Sequence, residues 1–174
     1  MVLVDTRQQA GKHNHKNAWF TGHSVQTCAM KLDFGDYQRP GSNVSVDTKK
    51  DIQELVMDVG RDHARFVREC ERAKAAGYKL VVLVESSAKY NDRDQLSVWV
   101  SKVCTSMCKF RWSCKPSAIK GRRCRRGNKP MQGDTLVKIL DSMERNHGVR
   151  FLFTSKADAA RRICEILGEP YGEL

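Results

Sequence analysis

Short apolar runs alternate along this chain with segments in which apolar residues return every three or four positions. Val2-Leu3-Val4 is a brief apolar run ending in Asp5, the pattern of a buried strand that delivers an acid at its carboxyl end. Residues Gly11 to His23 are polar and rich in His, Asn and Lys, which suits a loop or a short helix. Cys28 to Leu32 and Val44 to Lys49 read as the two strands of a hairpin, with Arg39-Pro40-Gly41-Ser42-Asn43 supplying the turn. Asp51 to Met57 predicts the start of a helix. From Asp62, Phe66, Val67, Cys70 and Ala73 recur at helical spacing until Gly77. The run Leu80 to Val84, closed by Glu85, predicts a central strand covered on both faces. Leu96, Trp99, Val100 and Val103 mark one further helical face and Leu136, Ile139, Leu140 and Met143 another, ended by Gly148. Val149 to Phe153 reads as a strand, and Ala160, Ile163, Cys164 and Leu167 lay a last helix over the sheet. Strands buried on both sides and separated by amphipathic helices predict an α/β domain.

The chain has 174 residues, which fits a single domain spanning 1–174 with a sizeable core. Thirty-one Lys and Arg against twenty Asp and Glu leave a formal charge of +11, a balance that favours polyanions through phosphate contacts and counterion release. Charge does not choose between DNA and RNA. Seven cysteines without a secretory leader read as free thiols, with Cys70 and Cys164 on apolar helical faces. No apolar run approaches a membrane span, so the expectation is a soluble intracellular protein, cytoplasmic if bacterial or phage-derived and nuclear if eukaryotic.

Candidate chemistry lies early in the chain. Gly35 and Asp36 precede Val44-Ser45-Val46-Asp47-Thr48-Lys49. In a strand Val44, Val46 and Thr48 share one face while Asp47 and Lys49 project from the other, so an acid and an amine emerge together beside Asp36. Two carboxylates with the Thr48 carbonyl make an all-oxygen site suited to Mg²⁺ or Mn²⁺, and an adjacent ammonium can orient a water or stabilise a phosphorane. Asp-x-Lys also occurs on ordinary solvated hairpins. Asp5 is a further acidic candidate, with capping of the next turn as its alternative role.

Several segments together carry a resemblance. Val2-Leu3-Val4-Asp5-Thr6-Arg7-Gln8, Leu32-Asp33-Phe34-Gly35-Asp36-Tyr37, Val46-Asp47-Thr48-Lys49-Lys50 and Leu80 to Glu85 come in the order of XPF-type structure-specific nuclease domains. Those domains belong to the PD-(D/E)xK, restriction-endonuclease-like superfamily. Gly133-Asp134-Thr135-Leu136 to Leu140 and Gly148 to Phe153 resemble that domain's closing helix and strand. The likeness thins between about Lys109 and Gln132. Gln8 stands where the family has Glu, and Asp47-Thr48-Lys49 where it has Glu-Arg-Lys. The resemblance implies a compact stand-alone member with a restriction-endonuclease-like mixed central sheet flanked by helices. It further implies a metal-dependent endonuclease acting on branched or flapped DNA in recombination, repair or phage DNA processing, working as a homodimer and without a membrane. Asp36, Asp47 and Lys49 would be catalytic, with Asp5 contributing, and Asp36, Asp47 and Thr48 would hold the metal. The alternative is a nucleic-acid-binding or scaffolding protein that keeps the fold without the chemistry.

Three other clusters carry chemistry-bearing side chains. Lys109, Arg111, Lys115, Lys120, Arg122, Arg123, Arg125, Arg126 and Lys129 form an acid-free basic loop within about 109–132, interleaved with Phe110 and Trp112. Such a run suits DNA phosphates, with Trp112 stacking on bases or else pinning the loop to the core. Lys12-His13-Asn14-His15-Lys16 is too compact for a zinc or HNH site and reads as a solvated or DNA-facing loop. Cys104, Cys108, Cys114 and Cys124 contain one pair at zinc-ligand spacing and a second pair that is too spread, so spacing alone makes a structural zinc the lesser reading.

Overall fold

The computed structural model describes residues 1–8, 11–114, 124–127 and 129–172. Six strands form one mixed sheet in the order β2-β1-β3-β4-β5-β6. β1 is Val2–Asp5, β2 Thr27–Met30, β3 Tyr37–Gln38, β4 Val44–Lys49, β5 Lys79–Glu85 and β6 Arg150–Thr154. β4, β5 and β6 run parallel, β3 is antiparallel to both β1 and β4, and β2 runs parallel to β1 at one edge. Helices cover both faces: α1 (Asn14–Gly22), α2 (Ile52–Val59), α3 (His63–Ala75), α4 (Arg93–Ser97), α5 (Gly133–His147) and α6 (Ala159–Leu167). No helix among the described residues is long and apolar enough to cross a membrane.

Alternation along the strands sorts the core into two layers. Val46 and Leu83 pack with Phe20 of α1 and Ile163, Cys164 and Leu167 of α6. Leu80, Val82, Val84 and Phe151 pack on the other face with Leu55, Phe66, Cys70, Leu136 and Leu140. Burying each such side chain contributes roughly 1.5–3 kcal/mol, which is why the strands hold one register despite the charges that β4 carries. The helix boundaries follow from local chemistry. Asp51 caps α2 by accepting a hydrogen bond from the Glu54 N–H at 2.8 Å, an N-cap worth about 1 kcal/mol. Gly148 closes α5 at φ 70°, where a side chain would be strained.

Two expectations fail. The hairpin strand paired with β4 is β3, not Cys28 to Leu32; β2 instead joins β1 in parallel and is exposed along its length. The face marked by Leu96, Trp99, Val100 and Val103 is not one helix. α4 stops at Ser97 because α5 docks against its end: the Gly133 N–H donates to the Trp99 carbonyl at 2.9 Å. A Cβ on Gly133 would fall 2.0 Å from the Leu96 carbonyl oxygen, so only glycine permits this approach. Leu96 and Trp99 remain buried, while Val98 is 65% exposed.

Candidate active site and nucleic-acid interface

Gly35 brings the first acid to the second. Its φ is 63°, and a Cβ there would lie 2.5 Å from Ser45 Oγ and 2.8 Å from the Val46 carbonyl oxygen. That glycine-only approach lets the Asp36 N–H donate to the Val46 carbonyl at 2.8 Å. Asp36 Oδ2 then accepts from the Thr48 N–H at 2.9 Å and from the Thr48 hydroxyl. In a strand the N–H and C=O of one residue point to the same edge. The Thr48 carbonyl therefore faces the Asp36 side, beyond the point where β3 pairing ends at Tyr37–Val46.

The second acid and the lysine occupy the opposite strand face from Val46, as alternation requires. They are far less open than a solvated hairpin would leave them: the side chains of Asp47 and Lys49 are 14% and 13% exposed. Lys49 Nζ lies 2.7 Å from Asp47 Oδ2, 2.8 Å from Asp58 Oδ2 and 5.8 Å from the centre of the Phe66 ring. Burial pushes the Asp47 carboxyl up to about 7; Lys49 opposes that shift and the nearby Asp36 charge reinforces it. Burial disfavours the Lys49 ammonium too, but Asp47 and Asp58 outweigh it and hold its pKa above the usual amine range. The acid is thus poised to lose its proton near neutrality while the amine stays charged.

Asp58 escaped the sequence reading. It sits on the apolar face of α2 with Leu55 and Val59, and accepts from Arg65 at 2.9 Å as well as from Lys49. An acid inside a hydrophobic stripe must have a buried partner, and that was the available signal. Asp5 lies at the carboxyl end of β1, 7% exposed, and its oxygens are taken by Arg7 Nε, the Arg7 N–H and the Leu32 N–H. Burial raises its pKa, but these hydrogen bonds outweigh it and leave a net lowering. Asp5 therefore orders the loop beside Asp36; its side chain is committed to Arg7. Gln8 donates to the Asp36 carbonyl at 3.1 Å, fixing the backbone of the acid from the first motif.

The Lys12 to Lys16 segment is not a solvated loop. α1 starts at Asn14, and His13 and Lys16 are 4% and 2% exposed. Lys16 pairs with Glu85 at the end of β5, and His13 shares a 2.9 Å hydrogen bond with the Tyr37 hydroxyl. Glu85 is thereby held by α1. Just outside the carboxyl ends of β4 and β5 opens a groove of about 300 Å³ whose lining includes Lys50, Lys102, Lys156, Ser86 and Ser87. Crevices at that end of a parallel sheet are where open α/β folds take ligands.

A second concavity, about 420 Å³, is lined by Met107, Cys108, Lys109, Phe110, Arg125 and Arg126. Lys109 and Arg125 lie 5.1 and 5.5 Å from the Phe110 ring centre, and Arg111 lies 4.9 Å from that of Trp112. Trp112 is 87% exposed, so it does not pin the loop to the core. Lys129, Lys115, Lys120, Arg122 and Arg123 complete the basic run in the sequence; the last four lie outside the described residues.

The ERCC4 domain model matches residues 4–166. The chain belongs to the ERCC4 domain family. It is thus an XPF-type nuclease domain in fold, and the expected mixed sheet with flanking helices is the one observed. A solved structure described as XPF from Aeropyrum pernix, complex with DNA, superposes with a TM-score of 0.53 at 16% identity. The match covers 96% of this chain and 62% of that one, so this ERCC4 domain spans less than two thirds of its relative's length. No curated protein sequence matches.

Proposed function

We propose that this ERCC4 domain is a metal-dependent DNA endonuclease in which Asp36, Asp47 and Lys49 carry the chemistry. The observation that carries the reading is the geometry at Asp47: its side chain is 14% exposed, it lies 2.7 Å from the Lys49 ammonium, and it is near enough to Asp36 for that charge to raise its pKa. Two neighbouring, partly buried carboxylates repel each other, and a divalent cation relieves that repulsion. Among the described residues no three His, Cys, Asp or Glu side chains form a ready metal cluster. The proposed donor set is Asp36, Asp47 and the Thr48 carbonyl, all oxygen, to be completed by water and phosphate, which suits Mg²⁺ or Mn²⁺. When bound, such an ion supplies a Lewis acid for the scissile phosphate and a water of lowered pKa. The protein's own groups do the rest. Asp47, free of its proton, would help to hold the ion. Lys49, gripped by Asp58, presents a fixed positive charge to the oxygens on which charge accumulates as the phosphodiester is attacked. Thr48 and Gln8 hold Asp36 from its side chain and its carbonyl.

DNA is the proposed polyanion, gripped by Lys50, Lys102 and Lys156 around the groove and by the cations and exposed aromatics of the basic loop. The Aeropyrum pernix relative, described as a complex with DNA, supports this choice. Branched or flapped DNA, a homodimeric state, a part in recombination or repair, and an intracellular setting complete the proposal.

One observation favours a binder that has lost cleavage: the Thr48 hydroxyl occupies an oxygen of Asp36 that a metal would use. Incubation with flap, fork, Holliday-junction and linear DNA, in Mg²⁺ or EDTA, decides between the two. Metal-dependent cleavage establishes the enzyme, and its preferred substrate the subclass. Retention of DNA without cleavage in any metal establishes the binder.

A further inference from the structure

The described residues between Lys102 and Met131 have almost no core of their own. Among them Cys108 alone is buried, while Met107 and Trp112 are 73% and 87% exposed. A stretch this poor in apolar burial cannot offset the entropy of ordering its backbone, and small coreless segments are ordinarily stapled by disulfides or metals. No disulfide joins its cysteines, which are free thiols. Its one helical piece among the described residues is a π-helical turn, Val103–Met107, a rare geometry that tends to mark functional positions. That turn carries Cys104 and is followed at once by Cys108.

Four cysteines border one cavity there. Cys104, Cys108, Cys114 and Cys124 line a single cavity of about 10 Å³, room for one small guest, closed by Arg126, Lys129, Pro130 and Gln132. The Gln132 side-chain N–H donates to Cys104 Sγ at 3.5 Å. Burial raises the Cys104 pKa, the Gln132 bond opposes this, and the other three cysteines add to it, so the thiols lie within electrostatic reach of one another. We propose that these four cysteines form a structural zinc site that staples the basic loop to the nuclease core. Their intervals of three, five and nine residues are looser than those of common zinc modules, which is why spacing undervalued them.

The thiols line the cavity without being drawn into ligating positions. Closing on the ion requires the side chains to rotate and the backbone to shift, and the described residues around them have little packing to resist it. Each thiol gives its proton to solvent as its thiolate bonds the metal, leaving two negative charges in excess of the ion. Arg126 and Lys129 in the cavity wall are placed to balance that excess, and the Gln132 N–H to orient one thiolate. The site is separate from the acids of β4, and its occupancy is independent of cleavage.

The test is metal analysis of the full chain, purified reduced and supplied with zinc. The expected result is about one zinc per chain, falling to less than about a tenth in Cys104→Ser/Cys124→Ser and unchanged in Cys28→Ser. Exchange for cobalt should give the strong visible absorption of a tetrahedral thiolate complex. Should the double variant fold poorly, the wild type still decides. Titrating its thiols with a mercurial should release zinc in step, and chelation should open the 109–129 segment to trypsin while the sheet stays protected. Zinc-free reduced protein, equal loss in Cys28→Ser, disulfides among the four cysteines, or iron–sulfur absorption would each overturn the assignment.

Discussion

The acid-bearing strand β4 and the basic segment after α4 have opposite construction. β4 is clamped between β3 and β5, with Val46 fully buried on one face and Lys49 against Phe66 on the other. The basic segment has cations and aromatics in quantity, and of its described residues only Cys108 is buried. A reacting centre needs groups fixed to a fraction of an ångström, which only a packed sheet supplies. A surface that tracks a flexible polyanion gains from long side chains free to follow it. Under the proposed function, precision is concentrated where bonds would break, and charge where substrate would be gathered.

That contrast is sharpest at Asp47. Asp47→Asn keeps the shape but removes the ligand charge, and cleavage should fall by at least about 10²–10³-fold, the scale for losing one preorganised electrostatic group. Because the carboxyl is already partly protonated near neutrality, melting temperature should barely move. Wild-type cleavage by a well-folded variant would refute the site.

In the basic segment the effect should show in binding and leave chemistry untouched. Replacing Lys109, Arg125 and Arg126 with Ala should weaken DNA binding and reduce the log–log salt slope by about 0.9 for each phosphate that is no longer neutralised. The rate at saturating DNA should hold. An unchanged slope would make this a solvated loop.

Asp58 tests how far the precision of β4 depends on α2. Asp58→Asn loosens one of the two grips on the largely buried Lys49, while the exposed Arg65 returns to water, so stability should drop by about 1–3 kcal/mol in denaturant titration. Cleavage should fall about tenfold, with metal affinity nearly intact. Asp58→Glu should restore part of both.

The last test leaves cleavage aside and concerns His13, whose pKa is lowered to about 4 by burial first and then by Lys16. Its folded value lies below the unfolded 6.5, so the unfolded chain binds the extra proton between those two pH values. Stability should therefore fall as pH drops from about 6.5 to 4, by up to about 1.4 kcal/mol per unit, and His13→Asn should flatten that slope. An identical pH profile for the variant would show that His13 is not the group responsible.

Much of β4's side of the contrast was legible. The alternation of Val44, Val46 and Thr48 against Asp47 and Lys49 placed acid and amine on the face the structure gives them. The apolar run before Glu85 marked β5 as central. Illegible were relations among distant segments. Nothing local to Cys28 to Leu32 says that it pairs in parallel with β1. The helix read through Val103 is ended by Gly133, which is distant in sequence and docks onto the Trp99 carbonyl. Asp58 and Lys16 are charges on buried helix faces whose partners lie on other elements. The four cysteines became readable as a set only when the fold brought them to one cavity.

Two glycines of the β3–β4 region share a left-handed backbone, at φ 63° and 74°, yet differ completely in what surrounds them. Gly35 is walled in by Ser45 and Val46, while nothing lies within 4 Å of a Cβ on Gly41. The hairpin tip is thus an attachment point already built into the domain. A cysteine or short tag inserted beside Gly41 would hang a fluorophore or crosslinker five residues from Asp36 and six from Asp47 along the chain. The probe would report on what approaches the acids without entering the packing that holds them.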